Sequence, residues 1–230
     1  MRAIQLTVAL LIALCGSAAT PDNGLQDLLS RMDQAAASFQ SMSANVKYIT
    51  HTAVLNDNSE ESGTVLMKKV RPGLMQGLTD FILPDRRTVF IDQRKIQVYY
   101  PKIKTVQIFD LGKHGEQLDQ FLMIGFGTSG TELARDYNIK VLGPDTALGQ
   151  KMTKIELSPK SGEAREYIQK VELWIPDPPS PPYPLQEKIY EKSGDYRLVI
   201  YTDMKINQPL RADALKLKLP AGVKQEYPQK

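Results

Sequence analysis

The sequence predicts an α+β fold in which one N-terminal helix is followed by a largely antiparallel sheet of about eleven strands. Apolar residues recur every three or four positions only up to Phe39, and after it the period is two. Most segments between the predicted strands are too short for the crossover helices that parallel strands need. One face of such a sheet is apolar and has to be covered. The available covers are the first helix and the segment His114 to Asp136, so we expect a sheet curled around a few helices.

The first residues of the chain have the pattern of a secretory signal peptide. Met1 to Ala19 contains one basic residue near its start, then the apolar run Leu6 to Leu14, and it ends in small residues. The apolar run is shorter than the roughly 20 residues that cross a bilayer. We therefore expect cleavage after Ala18 or Ala19 and export of a single domain, residues 20–230.

The only cysteine, Cys15, lies inside this segment and leaves a second interpretation open. A lipidated Cys15 would anchor the mature protein to a membrane. Lipoprotein cleavage sites have a small residue just before the cysteine, whereas this chain has Leu14, so simple cleavage is favoured. Cleavage leaves no cysteine for a disulfide. It also removes Arg2, which leaves 28 Lys and Arg against 26 Asp and Glu, a net charge of +2. That balance indicates neither nucleic acid nor a strongly anionic membrane as a partner.

The individual elements follow from the two periodicities. The first helix is predicted from an apolar stripe, with Asn23 as its N-cap. The stripe consists of Leu25, Leu28, Leu29, Met32, Ala36 and Phe39. The predicted strands are Ala44–Leu55, Gly63–Val70, Leu74–Leu83, Arg86–Asp92, Lys95–Tyr100, Thr105–Asp110, Tyr137–Leu142, Gln150–Ser158, Ile168–Ile175, Leu185–Lys192 and Tyr196–Ile206. Clear alternation also marks Leu215 to Leu219.

Two segments between these elements allow two interpretations each. Pro176 to Pro184 is rich in proline and is either a stiff connection or a docking site for a partner. Leu118 to Phe126 predicts a helix whose second half is apolar on every side. It is either buried in the core or a movable lid. The lid is supported by Gly125, Gly127 and Gly130, which would loosen the segment where it leaves the helix.

No catalytic, cofactor or metal site is predicted. Gly125 to Gly130 spells a dinucleotide-binding fingerprint, but the run before it is helix-like and the protein is predicted to be exported. His51 and His114 are the only histidines, and no spacing supplies the carboxylates that a metal site would need. No serine lies in a nucleophile-elbow context. We therefore expect a binding protein and not an enzyme.

Tyrosines are frequent in the predicted strands, where they would either pack across strands or line a cavity. They are Tyr48, Tyr99, Tyr100, Tyr190, Tyr196 and Tyr201.

The order of several short motifs resembles the periplasmic outer-membrane lipoprotein carriers of the LolA type. The helix Leu25–Asp33 leading into a strand at Ala44 is similar to the opening of that family. Gly63–Pro72 resembles its next strand, which ends in a basic residue, arginine and proline. Asp92–Pro101 resembles its aromatic hairpin, and Leu217–Val223 resembles its closing strand.

The resemblance implies an incomplete, strongly curved antiparallel barrel with a short helical lid over a hydrophobic cavity that accepts lipoprotein acyl chains. It implies that Arg71 is the latch that ties the lid to the barrel. It further implies as partners an inner-membrane lipoprotein-releasing transporter and an outer-membrane receptor, with the protein itself a monomer. The expected apolar lining is Met75, Phe81, Phe90, Phe121, Leu122, Met123 and Phe126. Met75 replaces an aromatic residue of the family, which leaves open whether the same docking contact is made. Arg94, Trp174 and the inserted prolines also depart from the family pattern and indicate a divergent member, which leaves the cargo open. The alternatives are a lipid-sensing regulatory module on the same fold and, if Cys15 is acylated, an outer-membrane receptor lipoprotein.

Overall fold

A computed structural model describes residues 21–71, 73–92, 95–110, 112 and 124–228, and most of them belong to one β-sheet. The helices are α1 (Pro21–Ser38), α2 (Gly130–Asp136) and α3 (Ala164–Tyr167), with a 3₁₀ turn at Pro101–Ile103. The strands are β1 (Ser41–Thr52), β2 (Asp57–Arg71), β3 (Leu74–Leu83), β4 (Arg87–Asp92), β5 (Lys95–Tyr100), β6 (Thr105–Asp110), β7 (Tyr137–Ala147), β8 (Gln150–Pro159), β9 (Ile168–Pro176), β10 (Gln186–Glu191), β11 (Tyr196–Ile206) and β12 (Lys224–Glu226).

The twelve described strands form a single sheet in the order β12-β6-β5-β4-β3-β2-β1-β11-β10-β9-β8-β7. Neighbouring strands are antiparallel except for β12, which pairs with β6 in parallel. Within the described residues the two end strands, β7 and β12, do not pair, so the curved sheet is not closed. The predicted fold class, an incomplete antiparallel barrel with helices, is confirmed.

Two local predictions were wrong. The helix α1 begins at Pro21 and not after Asn23, in keeping with the preference for proline in the first helical turn. The closing strand is Lys224–Glu226, whereas the alternating run Leu215 to Leu219 is not a strand. Alternating apolar and polar residues indicate that one face of a segment packs against other residues. A strand also needs a neighbouring strand that supplies backbone hydrogen bonds.

The helices α1 and α2 cover one half of the concave face of the sheet. Leu28 and Met32 of α1 and Leu133 of α2 join a buried cluster with the inward residues of β8 and β9, among them Leu157 and Leu173. This half of the sheet therefore has an ordinary apolar core.

The close contact between the two helices depends on a glycine. A Cβ at Gly130 would overlap the backbone of Leu29, so only glycine allows this approach. Ser129 caps α2, since its hydroxyl accepts a hydrogen bond from the backbone N–H of Glu132 (3.1 Å) while the Glu132 carboxylate accepts one from the N–H of Ser129 (2.8 Å).

The proline-rich segment between β9 and β10 is a second cover, and it lies against α1. The Arg31 guanidinium donates hydrogen bonds to the carbonyl oxygens of Pro176 (3.0 Å) and Ser180 (2.9 Å). The hydroxyl of Tyr183, which is buried, donates to the carbonyl of Ala35 (3.1 Å). The segment is thus an ordered connection that also holds the helix, and the interpretation as a docking site for a partner stays a prediction.

Candidate ligand-binding cavity

The other half of the concave face borders a cavity of about 430 Å³. Six strands contribute to its wall, namely β1 to β4, β10 and β11. The lining residues are Tyr48, Thr50, Glu61, Val65, Met67, Met75, Gln76, Gly77, Thr79, Phe81, Arg87, Val89, Ile91, Glu187, Ile189, Arg197, Val199 and Tyr201.

One end of the cavity is apolar. Val65 and Met67 of β2 alternate with outward residues, and Met75 at the start of β3 is 1% exposed. Gly77 is level with Met67 on one side and with Ile91 on the other. A Cβ at Gly77 would meet no heavy atom within 4 Å, so the absent side chain leaves room in the cavity.

The opposite end of the cavity carries a charged pair. Arg87 of β4 makes a two-pronged ion pair with Glu61 of β2, and its second arm donates to Glu61 Oε2 at 2.9 Å. The guanidinium carbon lies 4.2 Å from the ring centre of Phe81. The hydrogen bonds to Glu61 raise the pKa of Arg87. Each charge of the pair is therefore already balanced by the other.

Glu187 of β10 is the exceptional residue of the wall. It is 6% exposed, and its Oε1 atom has no hydrogen-bond partner among the described residues. Burial raises the pKa of this carboxyl from 4.5 to about 8, and the nearby Arg197 only partly opposes the shift. The carboxyl is therefore mostly protonated at neutral pH.

Two tyrosines, the buried Tyr201 and the half-buried Tyr48, stand next to this carboxyl. Burial raises the pKa of Tyr48 to about 12 and raises that of Tyr201 well above its usual value, and the negative charge of Glu187 contributes in both cases. Tyr48 packs edge-on against Phe81, with ring centres 5.2 Å apart. Of the tyrosines identified in the sequence, these two line the cavity.

The structure brings together two of the predicted lining residues and places two others elsewhere. Met75 and Phe81 both line the cavity. Phe90 is buried but follows Val89 and precedes Ile91, which line the cavity, so by alternation it belongs to the opposite face of β4. Phe126 is 1% exposed and packs edge-on against Tyr201, with ring centres 5.1 Å apart. It lies beside the cavity wall and is not among the lining residues.

The predicted lid and latch are described only in part. Phe121, Leu122 and Met123 lie outside the described residues. Arg71 is exposed at the end of β2 and makes no hydrogen bond or ion pair with any described residue, so its role as a latch stays a prediction. Lys69, two positions before it, does reach a helix, because its ammonium group donates to the carbonyl of Ala36 at the end of α1 (3.3 Å).

Glu187 was not predicted as a site residue from the sequence. The sequence does contain an indication of this role. Leu185, Glu187 and Ile189 lie on one face of a predicted strand, and the carboxyl of Glu187 interrupts an otherwise apolar series. A carboxyl in that position is either buried without water or faces a ligand.

No described helix is long and apolar enough to cross a membrane.

No protein-family model and no curated protein sequence matches this chain. An uncharacterised conserved protein from Thermus thermophilus is similar in structure at 13% identity, with 89% of this chain and 99% of that one covered and a TM-score of 0.53. MucB is similar at 14% identity and a TM-score of 0.51; the match covers 85% of this chain and 63% of MucB.

A LolA superfamily protein from Nitrosomonas europaea, NE2245, is also among the similar structures, at 16% identity and a TM-score of 0.43, with 84% of this chain and 97% of that one covered. At these identities the likenesses concern the fold alone.

Proposed function

We propose that the protein is an exported carrier that holds a lipid acyl chain, such as that of a lipoprotein, in the cavity between β1–β4 and β10–β11. The observation that carries the proposal is a cavity with one apolar end, lined by Val65, Met67, Met75 and Ile91, and one polar end at Glu61 and Arg87. An amphiphile has the same two ends. The signal peptide predicted from the sequence supports transport through the periplasm.

The volume of the cavity suits one acyl chain. A methylene group takes up roughly the space of a water molecule in the liquid, about 30 Å³, so a cavity of about 430 Å³ holds roughly 14 such groups. At about 0.8 kcal/mol for each buried methylene, their transfer from water contributes on the order of 11 kcal/mol before the costs of association are subtracted. A lipoprotein with several acyl chains requires the cavity to widen.

Carriage also requires release. Within this proposal the loading partner is an inner-membrane transporter and the receiving partner is an outer-membrane receptor, as the family resemblance implies. The regulatory module that the sequence left as an alternative would bind the same chain without passing it on. Transfer of bound lipid to acceptor vesicles therefore distinguishes a carrier from a sensor.

The proposal is tested by filling the cavity from Gly77. A Gly77→Leu side chain would occupy space in which an added Cβ meets no neighbour, so the fold should tolerate it. The leucine displaces about four methylene equivalents of ligand, which lowers the affinity for a long acyl chain by about 3 kcal/mol, a factor of more than 100. Fluorescent fatty-acyl probes of increasing length, titrated into purified protein, measure this effect.

The matched control is Gly162→Leu. Gly162 also has open space around its Cβ, but it lies in the turn between β8 and α3, outside the cavity. This variant should bind every probe as the unchanged protein does. Equal affinities of the Gly77→Leu variant and the unchanged protein for the longest probe would refute the proposed cavity as the binding site.

A further inference from the structure

Three polar groups in the wall of the cavity have no partner among the described residues. The carboxyl of Glu187 is buried with its Oε1 unbonded, and the hydroxyls of Tyr48 and Tyr201 make no hydrogen bond with any described residue. All three residues line the cavity. An unpaired buried polar group is costly, and among the described residues Glu187 Oε1 is such a group. Its position in the cavity wall, together with two tyrosines that also line the cavity, indicates a binding partner that completes it.

Strand register places Glu187 and Tyr48 at one level of the sheet. Glu187 of β10 is paired with Val199, Val199 with Tyr48, and Tyr48 with Glu61. Tyr201 lies on the same face of β11 as Val199, two residues further along. The polar level thus runs across four neighbouring strands, from Glu187 to the ion pair of Glu61.

We propose that Glu187, Tyr48 and Tyr201 form a hydrogen-bonding subsite for the neutral ester or amide carbonyl group at the head of a bound acyl chain. The inference rests on the proposed function of the cavity and adds the polar chemistry of the ligand. A carbonyl oxygen accepts two hydrogen bonds and carries no charge. The protonated carboxyl and the two tyrosine hydroxyls are all donors that suit it.

The charges around the subsite favour a neutral ligand group over a cation. The groups that face Glu187 are Arg197 on β11, Tyr48, Tyr201, and Tyr137 at the start of β7. The remaining charges of the cavity, Glu61 and Arg87, are paired with each other. An alkyl ammonium ion would meet the positive charge of Arg197, and burial already favours the uncharged form of Glu187.

The dimensions allow the chain to extend from this subsite to the apolar end. From the level of Glu61 to that of Met67, β2 rises by about 20 Å at about 3.3 Å for each residue. That span suits an extended acyl chain of the length found in membrane lipids. The carbonyl then lies at the polar level and the methyl end near Met67 and Met75.

The test compares three ligands with the same alkyl chain: methyl laurate, dodecane and dodecylamine. Each is titrated against the unchanged protein, Glu187→Leu and Glu187→Gln by displacement of a fluorescent acyl probe. The unchanged protein should prefer methyl laurate to dodecane by roughly tenfold near pH 6.5, the effect of one or two hydrogen bonds. Glu187→Leu should lose most of this preference, whereas Glu187→Gln, which keeps a donor, should retain it.

A pH series separates the donor role of the carboxyl from a role in packing. The preference for the ester should decline above about pH 8 in the unchanged protein, as Glu187 loses its proton, and should stay constant in Glu187→Gln. Glu191→Gln, an exposed change on the same strand, serves as the matched control and should behave as the unchanged protein.

The outcomes are distinct. Equal binding of ester and alkane in the unchanged protein, or tightest binding of dodecylamine, would overturn the subsite while leaving the acyl-chain cavity in place. Failure of all three ligands to bind the unchanged protein would overturn the proposed function and the subsite with it.

Discussion

Replacing Glu187 with glutamine is expected to change how the stability of the fold depends on pH. Folding buries this carboxyl and raises its pKa from 4.5 to about 8. Between these two values the unfolded chain has released the proton while the folded protein keeps it. The favourable contribution of the protonated carboxyl is therefore fully present below about pH 4.5 and is lost as the pH rises to about 8.

The size of the effect follows from the shift. Each pH unit in this window changes the free energy of unfolding by at most about 1.4 kcal/mol. Between about pH 5 and about pH 7, the wild-type protein should lose about 2.5 kcal/mol through this one group. Glutamine has no proton to release, so the Glu187→Gln variant should gain about that amount relative to wild type over the same interval.

Urea unfolding of lipid-free protein, followed by tryptophan fluorescence, measures this difference. Trp174 is the only tryptophan, is 9% exposed and donates a hydrogen bond to Asp145 (2.8 Å), so it reports loss of the native sheet. Glu191→Gln is the control, because that residue is exposed. If the stability curves of Glu187→Gln and wild type run parallel from pH 5 to pH 7, the buried neutral carboxyl is refuted.

Three further predictions concern the predicted latch, the helix contact and the N-terminus. Arg71→Leu should alter the rate of acyl-probe uptake or release. Because Arg71 is exposed, the free energy of unfolding of this variant should stay within about 0.5 kcal/mol of wild type. The control Lys68→Leu should leave the transfer rates unchanged, and unchanged rates in Arg71→Leu as well would remove Arg71 from the mechanism. Gly130→Ala should destabilise the fold by about 1 to 3 kcal/mol, because its Cβ overlaps the backbone of α1, and a neutral effect in urea unfolding would contradict that contact. The mass of the exported protein should correspond to a chain that begins at residue 19 or 20, whereas a mature chain that begins with an acylated Cys15 would favour the receptor lipoprotein.

The strands were largely predictable because an apolar run bounded by turn residues is a local signal. The bounds of β3 and β11 agree with the predicted segments at both ends. Both segments are mainly apolar runs between turn residues, with Gly73 and Pro84-Asp85 around β3 and Gly194-Asp195 before β11, and runs bounded in this way predict strands. The shortness of most connections was sufficient to predict a largely antiparallel order.

The cavity was less predictable. When both faces of a strand are apolar, hydrophobic periodicity does not say which face borders the cavity. Phe90 and its neighbours Val89 and Ile91 are all apolar, so the sequence could not decide which of them line the cavity. The role of the proline-rich segment as a cover depends on hydrogen bonds from Arg31, far away along the chain. Contacts between distant residues of this kind leave no local pattern.

The most direct test of the proposed carrier function is the mass of the protein purified from the exported fraction of its cells under native conditions. A carrier of this kind should hold one bound lipid with an acyl chain for each protein molecule, released as the same lipid upon denaturation. The Gly77→Leu variant, purified in the same way, should be empty or carry a shorter chain, while Gly162→Leu should carry the wild-type lipid. A protein that is free of lipid in its native source, or that binds the same lipid when Gly77 is filled, would contradict the central claim.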